Sequence, residues 1–369
     1  MHKEINVLVS VISLIFFSFS CNLFDEEEEL TAFMFNVDEV GHKQILGGDY
    51  AQELEDSLYD NMVFDAVGYR WGDFEPVDDE FDWDETDDFI SDNSDKYVVF
   101  RVGLPLEPLG GGEFRIGGEG TPSWLENSLS NPELKPEYGE FLSALANRYK
   151  NNLDMWWVGE EINMGGDGLS WEEQKEWVEW QVEIIRTIDS QANIAISFGS
   201  WSDYHEEIPS NAIHEIEGAQ ELISDGVDFD IIAIEYHYGT LQDGDIDDLR
   251  QALSDLKSVG KKIFIWEVFY PGGTDSVYEE NWDWEYPPAG GYTEEWQAEQ
   301  LYETLKLAYE DSMIIGINIF HFQEITYDEI EPTEWEAGWR CYAGLVENDG
   351  TPKEAYFRVR DYCREEIGR

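Results

Sequence analysis

The sequence predicts an α/β protein whose folded domain is a single (β/α)8, or TIM, barrel. Three observations predict it. Short runs of β-branched and aromatic residues alternate with longer amphipathic runs in a regular beat, the pattern of βα units around a parallel sheet. Eight such units follow one another. A chain of 369 residues also accommodates one barrel of about 250 residues with insertions, and no linker splits off a second domain.

In order, residues 32–37 read as the first strand and 50–59 as its helix. Residues 63–69 read as the second strand, which leads through Arg70 and Trp71 into a polar loop and a helix at 84–91. The third strand spans 97–102. A Gly-rich loop (110–120), Pro122-Ser123-Trp124 and a helix over 136–150 follow it. The fourth strand, 154–159, is followed by a helix over 170–188, opened by Ser170 with acids in its first turn, an N-terminal capping signature. Strand five (193–198) pairs with a helix near 212–223, strand six (229–236) with one over 246–259. The seventh strand, 263–266, is an apolar run bounded by Gly260 and two lysines, as expected of a strand covered on both faces. Its helix runs over 293–309. The eighth strand spans 314–320, and the closing helix 351–366.

Composition excludes several classes. With 82 acids against 22 bases the formal net charge is −60, a field that repels nucleic-acid backbones and anionic lipid surfaces. Such a surface would also suit a salty habitat, where screening relieves self-repulsion. Disorder does not explain the charge, because 42% hydrophobic residues and 15 tryptophans supply a substantial core. No His/Cys spacing typical of a metal site occurs, and the Gly-rich segment leads into Pro-Ser-Trp rather than a helix, so it is a poor phosphate loop. No cofactor is expected, and the oligomeric state is left open.

The N-terminus reads as an export signal. Lys3 precedes an apolar run over residues 7–19, short for a membrane span and suited to a secretory leader. It closes on Ser18-Phe19-Ser20-Cys21, followed by the acidic run 25–29, and resembles a bacterial lipoprotein signal in which Cys21 is lipidated. The expected organisation is a signal peptide over 1–20, a lipidated cysteine and acidic tether over 21–30, and the barrel over 31–369. An ordinary cleaved leader is the alternative. Either way the product is exported, as a membrane-anchored protein of the cell surface or periplasm in the first case. Cys341 and Cys363 would then meet an oxidising compartment, where they either form a disulfide or remain two thiols.

Chemistry concentrates where strands end. Lys261-Lys262-Ile263-Phe264-Ile265-Trp266 delivers Glu267, and Met155-Trp156-Trp157-Val158-Gly159 delivers Glu160 and Glu161. An acid at the end of a buried strand is costly for packing alone to place there. In a barrel both strands end at one rim, where active sites lie, and two carboxylates at one rim are what glycosidic bond cleavage needs. The same rim gathers Arg70, Trp71, Trp201, His237 and His321. Trp71, Trp124, Trp201, Trp266 and Phe322 offer flat apolar faces for sugar rings, or else pack as wall and core.

Several segments together resemble the clan of retaining (β/α)8 glycoside hydrolases that includes cellulases, mannanases, β-galactosidases and xylosidases. They are Tyr69-Arg70-Trp71-Gly72-Asp73-Phe74-Glu75-Pro76 with Phe81-Asp82-Trp83, Trp157-Val158-Gly159-Glu160-Glu161-Ile162-Asn163, Ile234 with His237-Tyr238, Ile265-Trp266-Glu267, and Asp349-Gly350-Thr351-Pro352-Lys353. The resemblance implies hydrolysis of a carbohydrate substrate, with Glu161 as general acid/base and Glu267 as nucleophile. Such a mechanism needs one carboxyl protonated and one ionised. Arg70 is the candidate cation beside the nucleophile, Tyr236 and His237 its candidate hydrogen-bond partners, and His321 a candidate substrate contact. One position departs from the clan: Glu160 stands where asparagine normally touches the sugar 2-hydroxyl. It adds a third negative charge and cannot donate a hydrogen bond while ionised. The site is then either retuned for another substrate or, in the alternative reading, a glycan-binding barrel without hydrolysis that serves a polysaccharide uptake system.

Overall fold

The computed structural model describes residues 33–38, 62–65, 71–103, 107–109, 113–115, 121–126, 131–164, 169–199, 212–237, 246–273, 292–320, 322, 324, 342–347 and 349–367. Arg70, Trp201, His321, Cys21, Cys341, the leader and the predicted first helix lie outside these residues. Residues Met34–Arg369 form one compact unit.

The strands are β1 (Met34–Asp38), β2 (Met62–Asp65), β3 (Tyr97–Val102), β4 (Met155–Val158), β5 (Ile194–Gly199), β6 (Ile231–His237), β7 (Lys262–Phe269) and β8 (Ile314–Phe320). They form one eight-stranded sheet in which each of β2 to β8 lies beside its sequence neighbour and β1 pairs with β8. Every pairing is parallel. This is the predicted (β/α)8 barrel. Complete burial of β4, β5 and β8 explains why their sequences are predominantly apolar rather than alternating. At the closing seam Gly316 stands opposite Met34. A Cβ there would lie 2.6 Å from the Met34 carbonyl oxygen and 2.5 Å from the Phe264 ring, so only glycine lets the strands approach.

Among the described residues, the helices longer than two turns are α1 (Asp84–Asp92), α2 (Leu134–Tyr149), α3 (Trp171–Ile188), α4 (Glu215–Asp225), α5 (Ile246–Lys257), α6 (Glu294–Glu310) and α7 (Glu354–Tyr362). Ser170 caps α3 through a reciprocal bond with Glu173, as its sequence foretells, and Thr293 accepts the Trp296 N–H to cap α6. Two features differ from expectation. The segment after β3 carries a small antiparallel pair, Glu107–Leu109 with Glu113–Arg115, and the closing helix ends in a π-helical turn, Cys363–Ile367. Cys363 in that turn is buried, and Cys341, its candidate disulfide partner, lies outside the described residues.

The non-catalytic end of the barrel is tied by Arg186 of α3. Its guanidinium bonds to the Asp228 carbonyl and to Asp230 Oδ2, which also accepts the Ile194 N–H. At the other end Lys353 reaches Glu324 at 2.6 Å and the Tyr342 carbonyl at 3.2 Å. Gln297 of α6 donates to the Ala343 and Gly344 carbonyls beside it. These bonds hold the segments after β7 and β8 to the outer helices, because Gly272 also donates its N–H to Tyr342.

Candidate active site

The site is built by two irregularities at strand ends and one buried acid. The first follows β4. Gly159 adopts a left-handed conformation, φ 73°, and a Cβ there would lie 2.4 Å from Ile162 Cγ2. The chain therefore turns sharply and carries Glu160 and Glu161 over the rim. Glu161 itself has φ 42°, a strained state for a residue with a side chain, worth about 1–3 kcal/mol. Its surroundings hold it there. The Glu161 N–H donates to Ser197 Oγ, and its carbonyl accepts from Met164. Fully buried Asn163 bonds both backbone groups of Gly199 and the Ile213 carbonyl. A Cβ on Gly199 would stand 2.9 Å from Glu161 Oε1, so the carboxyl lies directly over the end of β5.

The second irregularity is in β7, which runs three residues beyond the predicted strand end. Ile234 of β6 faces Ile265, but Glu235 faces Glu267. Trp266 is therefore an extra residue, and the register against β8 slips at the same place. Such a bulge breaks the two-residue alternation and re-aims side chains. Without it, Glu267 would share the outward face of Ile263 and Ile265. With it, Glu267 comes level with Glu235 at the mouth.

Glu235 is the third element, and the sequence reading passed over it for its neighbours Tyr236 and His237. It is 5% exposed. Its carboxyl hydrogen-bonds the Glu161 carboxyl and faces the charges of Glu161, Glu267 and Glu160. Burial, and then those charges, push it well above the ordinary carboxylate range. A signal existed in the sequence. Residues 231–235 form an apolar run closed by an acid, the same design that marks Glu161 and Glu267.

Glu160 is not the uncompensated charge that its position suggested. Arg101, at the end of β3, donates to it at 3.1 Å and lies with its guanidinium 5.6 Å from the centre of the Trp266 ring. Trp266 is 3% exposed and packs at 4.4 Å on Trp157, so it is wall rather than an open sugar platform. Trp71 is also a correction. It is fully buried, donates Nε1–H to Glu75, and stacks on Phe141, because the short helix Trp71–Phe74 places it in an aromatic cluster with Phe141 of α2. Phe322 is buried as well. Trp124 stays half-exposed, edge-on to Trp71 with its Nε1–H on the Glu75 carbonyl. Tyr236 is buried opposite Val268, and His237 closes β6, its side chain outside the described atoms.

A parallel eight-stranded barrel with one acid raised on a strained turn after β4 and another brought inward by a bulge in β7 defines a glycoside hydrolase of the retaining (β/α)8 clan. The particular family follows from the sequence: the chain belongs to glycosyl hydrolase family 10, which it matches over residues 39–362. Solved structures of similar fold include native xylanase 10B from Thermotoga maritima, with 16% identity, a TM-score of 0.61, and 93% of this chain and 98% of that one covered. Xylanase 10B from Thermotoga petrophila RKU-1 in complex with xylobiose has 15% identity, a TM-score of 0.61 and 91% and 95% coverage. A thermostable mutant of a Cellvibrio japonicus xylanase has 15% identity, a TM-score of 0.63 and 92% and 98% coverage. No curated protein sequence matches significantly.

Proposed function

We propose that this glycoside hydrolase cleaves the main chain of xylan or a closely related β-linked polysaccharide by double displacement, with Glu161 as acid/base and Glu267 as nucleophile. The convergence of these two acids on Glu235, from opposite strands of one barrel mouth, carries the reading. In the first step Glu267 attacks the anomeric carbon while Glu161 protonates the departing glycosidic oxygen. In the second, Glu161 takes a proton from water, whose oxygen displaces Glu267 and restores both carboxyls. The strained turn at Glu161 and the bulge at Glu267 support these roles, since both fix an acid where packing alone would not. The xylanases of similar fold support the substrate class. Export with a lipid on Cys21 belongs to the same proposal, as the leader suits an enzyme acting on an external polymer.

Turnover of xylan and of aryl β-xylosides tests the reading. Glu267→Ala should abolish both. Glu161→Ala should slow substrates with poor leaving groups far more than activated ones, with partial rescue by azide. Xylo-oligosaccharide binding without products from the wild type would replace the enzyme with a glycan-binding barrel. Cys21→Ser should release the protein from membranes and end fatty-acid labelling; a wild type that is already soluble and unlabelled refutes the anchor.

A further inference from the structure

Glu235 does a job that the two-carboxylate mechanism does not account for. We propose that it is a positioning residue that stands in the resting site as a neutral carboxylic acid and donates its O–H to the Glu161 carboxyl. The functional half of this inference rests on the acid/base reading of Glu161; the protonation half does not.

The chemistry follows from the contact itself. Two carboxyl side chains joined by a hydrogen bond must hold at least one proton between them, since two carboxylates offer only acceptors. Which partner keeps it is decided by surroundings. Glu235 is 5% exposed, whereas Glu161 is half-buried at the rim. From β5 the position level with Glu235 is Gly199, which brings no charge; from β7 it is Glu267. Glu160 and Glu161 face it from the end of β4, so the charges that act on it most strongly among the described residues are all negative. The Arg101 guanidinium bonds to Glu160 instead, and Glu235 Oε1 makes no hydrogen bond among the described residues. A carboxylate so placed would be desolvated and repelled, whereas the neutral acid costs far less to bury and has a use for its one donor.

The consequence is mechanical as well as electrostatic. Glu161 is anchored through its backbone by Ser197, but its carboxyl needs a second restraint to point at a leaving oxygen. A donor beneath it supplies that restraint. The same O–H also stabilises the Glu161 carboxylate left after the proton departs, so it favours the first chemical step without leaving Glu235 itself.

Infrared difference spectra at neutral pH test the protonation directly. The wild type should show the carbonyl stretch of a protonated carboxyl, and Glu235→Gln should lose it. An unchanged spectrum overturns the proposal whether or not the protein is an enzyme. Kinetics test the positioning. Glu235→Ala should lower kcat at least tenfold on substrates with poor leaving groups, with KM little changed, and Glu235→Gln, which keeps a neutral donor, should recover part of that loss. Equal loss in both variants, or equal loss on activated and unactivated substrates, overturns the positioning role. If Glu235→Ala does not fold, the spectra of wild type and Glu235→Gln still decide.

Discussion

The Arg101–Glu160 pair lends itself to a double-mutant cycle, because its geometry bounds its energy from both sides. At 3.1 Å two unit charges attract by about 5 kcal/mol at an effective dielectric near 20. Desolvation takes back much of this, and with side chains 18% and 31% exposed water screens part of what remains. The net value should be that of a hydrogen bond between charged groups, about 1.5–3 kcal/mol, above the 0–1 kcal/mol of an exposed pair. Arg101→Gln should therefore destabilise by about 2 kcal/mol in urea unfolding, with Glu160 left uncompensated beside Glu161. Glu160→Gln should cost less, since the freed guanidinium still lies against the Trp266 ring. The double variant should show a coupling of about 1–2 kcal/mol. A coupling under 0.5 kcal/mol would refute the pairing as the means by which the barrel tolerates an acid at this position.

Two further outcomes follow from buried charge. Lys353→Met strips the partner from Glu324, whose side chain is 14% exposed against 2% for the lysine; loss of about 3 kcal/mol in thermal or urea unfolding is expected, and a loss under 1 kcal/mol would show that the pair is dispensable. Glu235 titrates in the folded chain above its ordinary value near 4.5, so above that pH the unfolded chain has released a proton that the folded chain still holds, and stability falls as pH rises toward the folded value. Glu235→Gln should thus gain stability on the wild type as pH rises from about 4.5 and match its slope below; parallel melting curves across that window would contradict the shift.

Much of the fold was legible because a parallel barrel writes itself plainly. Strands buried on both faces need mostly apolar residues, and β5 and β8 supply them with one polar residue each, Ser197 and Asn318. The helix start at Ser170 was legible for a local reason, since a cap acts within four residues. The positions of Glu161 and Glu267 were legible because an acid closing an apolar strand is conspicuous. Other features were not. The bulge at Trp266 leaves no mark, as Ile265-Trp266-Glu267-Val268 reads the same with or without an extra residue. Arg101 closes no apolar run, and its partner lies 59 positions away. Trp71 looked like a sugar platform because a rim tryptophan and a core tryptophan have the same local sequence. Only the turn that puts its Nε1–H on Glu75 separates them.

These features together answer how four acids share one mouth in a chain already carrying −60. Glu160, Glu161, Glu235 and Glu267 would, if all ionised and unpaired, repel one another across a region with restricted access to water. Arg101 offsets the charge of Glu160. The inferred proton on Glu235 removes a second. Glu161 and Glu267 are then the two whose protonation the proposed reaction uses. Each device can be removed alone, Arg101 by glutamine and the Glu235 proton by its amide, and the two removals should have opposite effects. The first adds an uncompensated carboxylate beside Glu161 and should weaken the fold. The second replaces a proton-dependent neutral group by a permanently neutral one and should strengthen the fold as pH rises. If both variants moved stability in the same direction with the same pH dependence, charge would not be what organises this site.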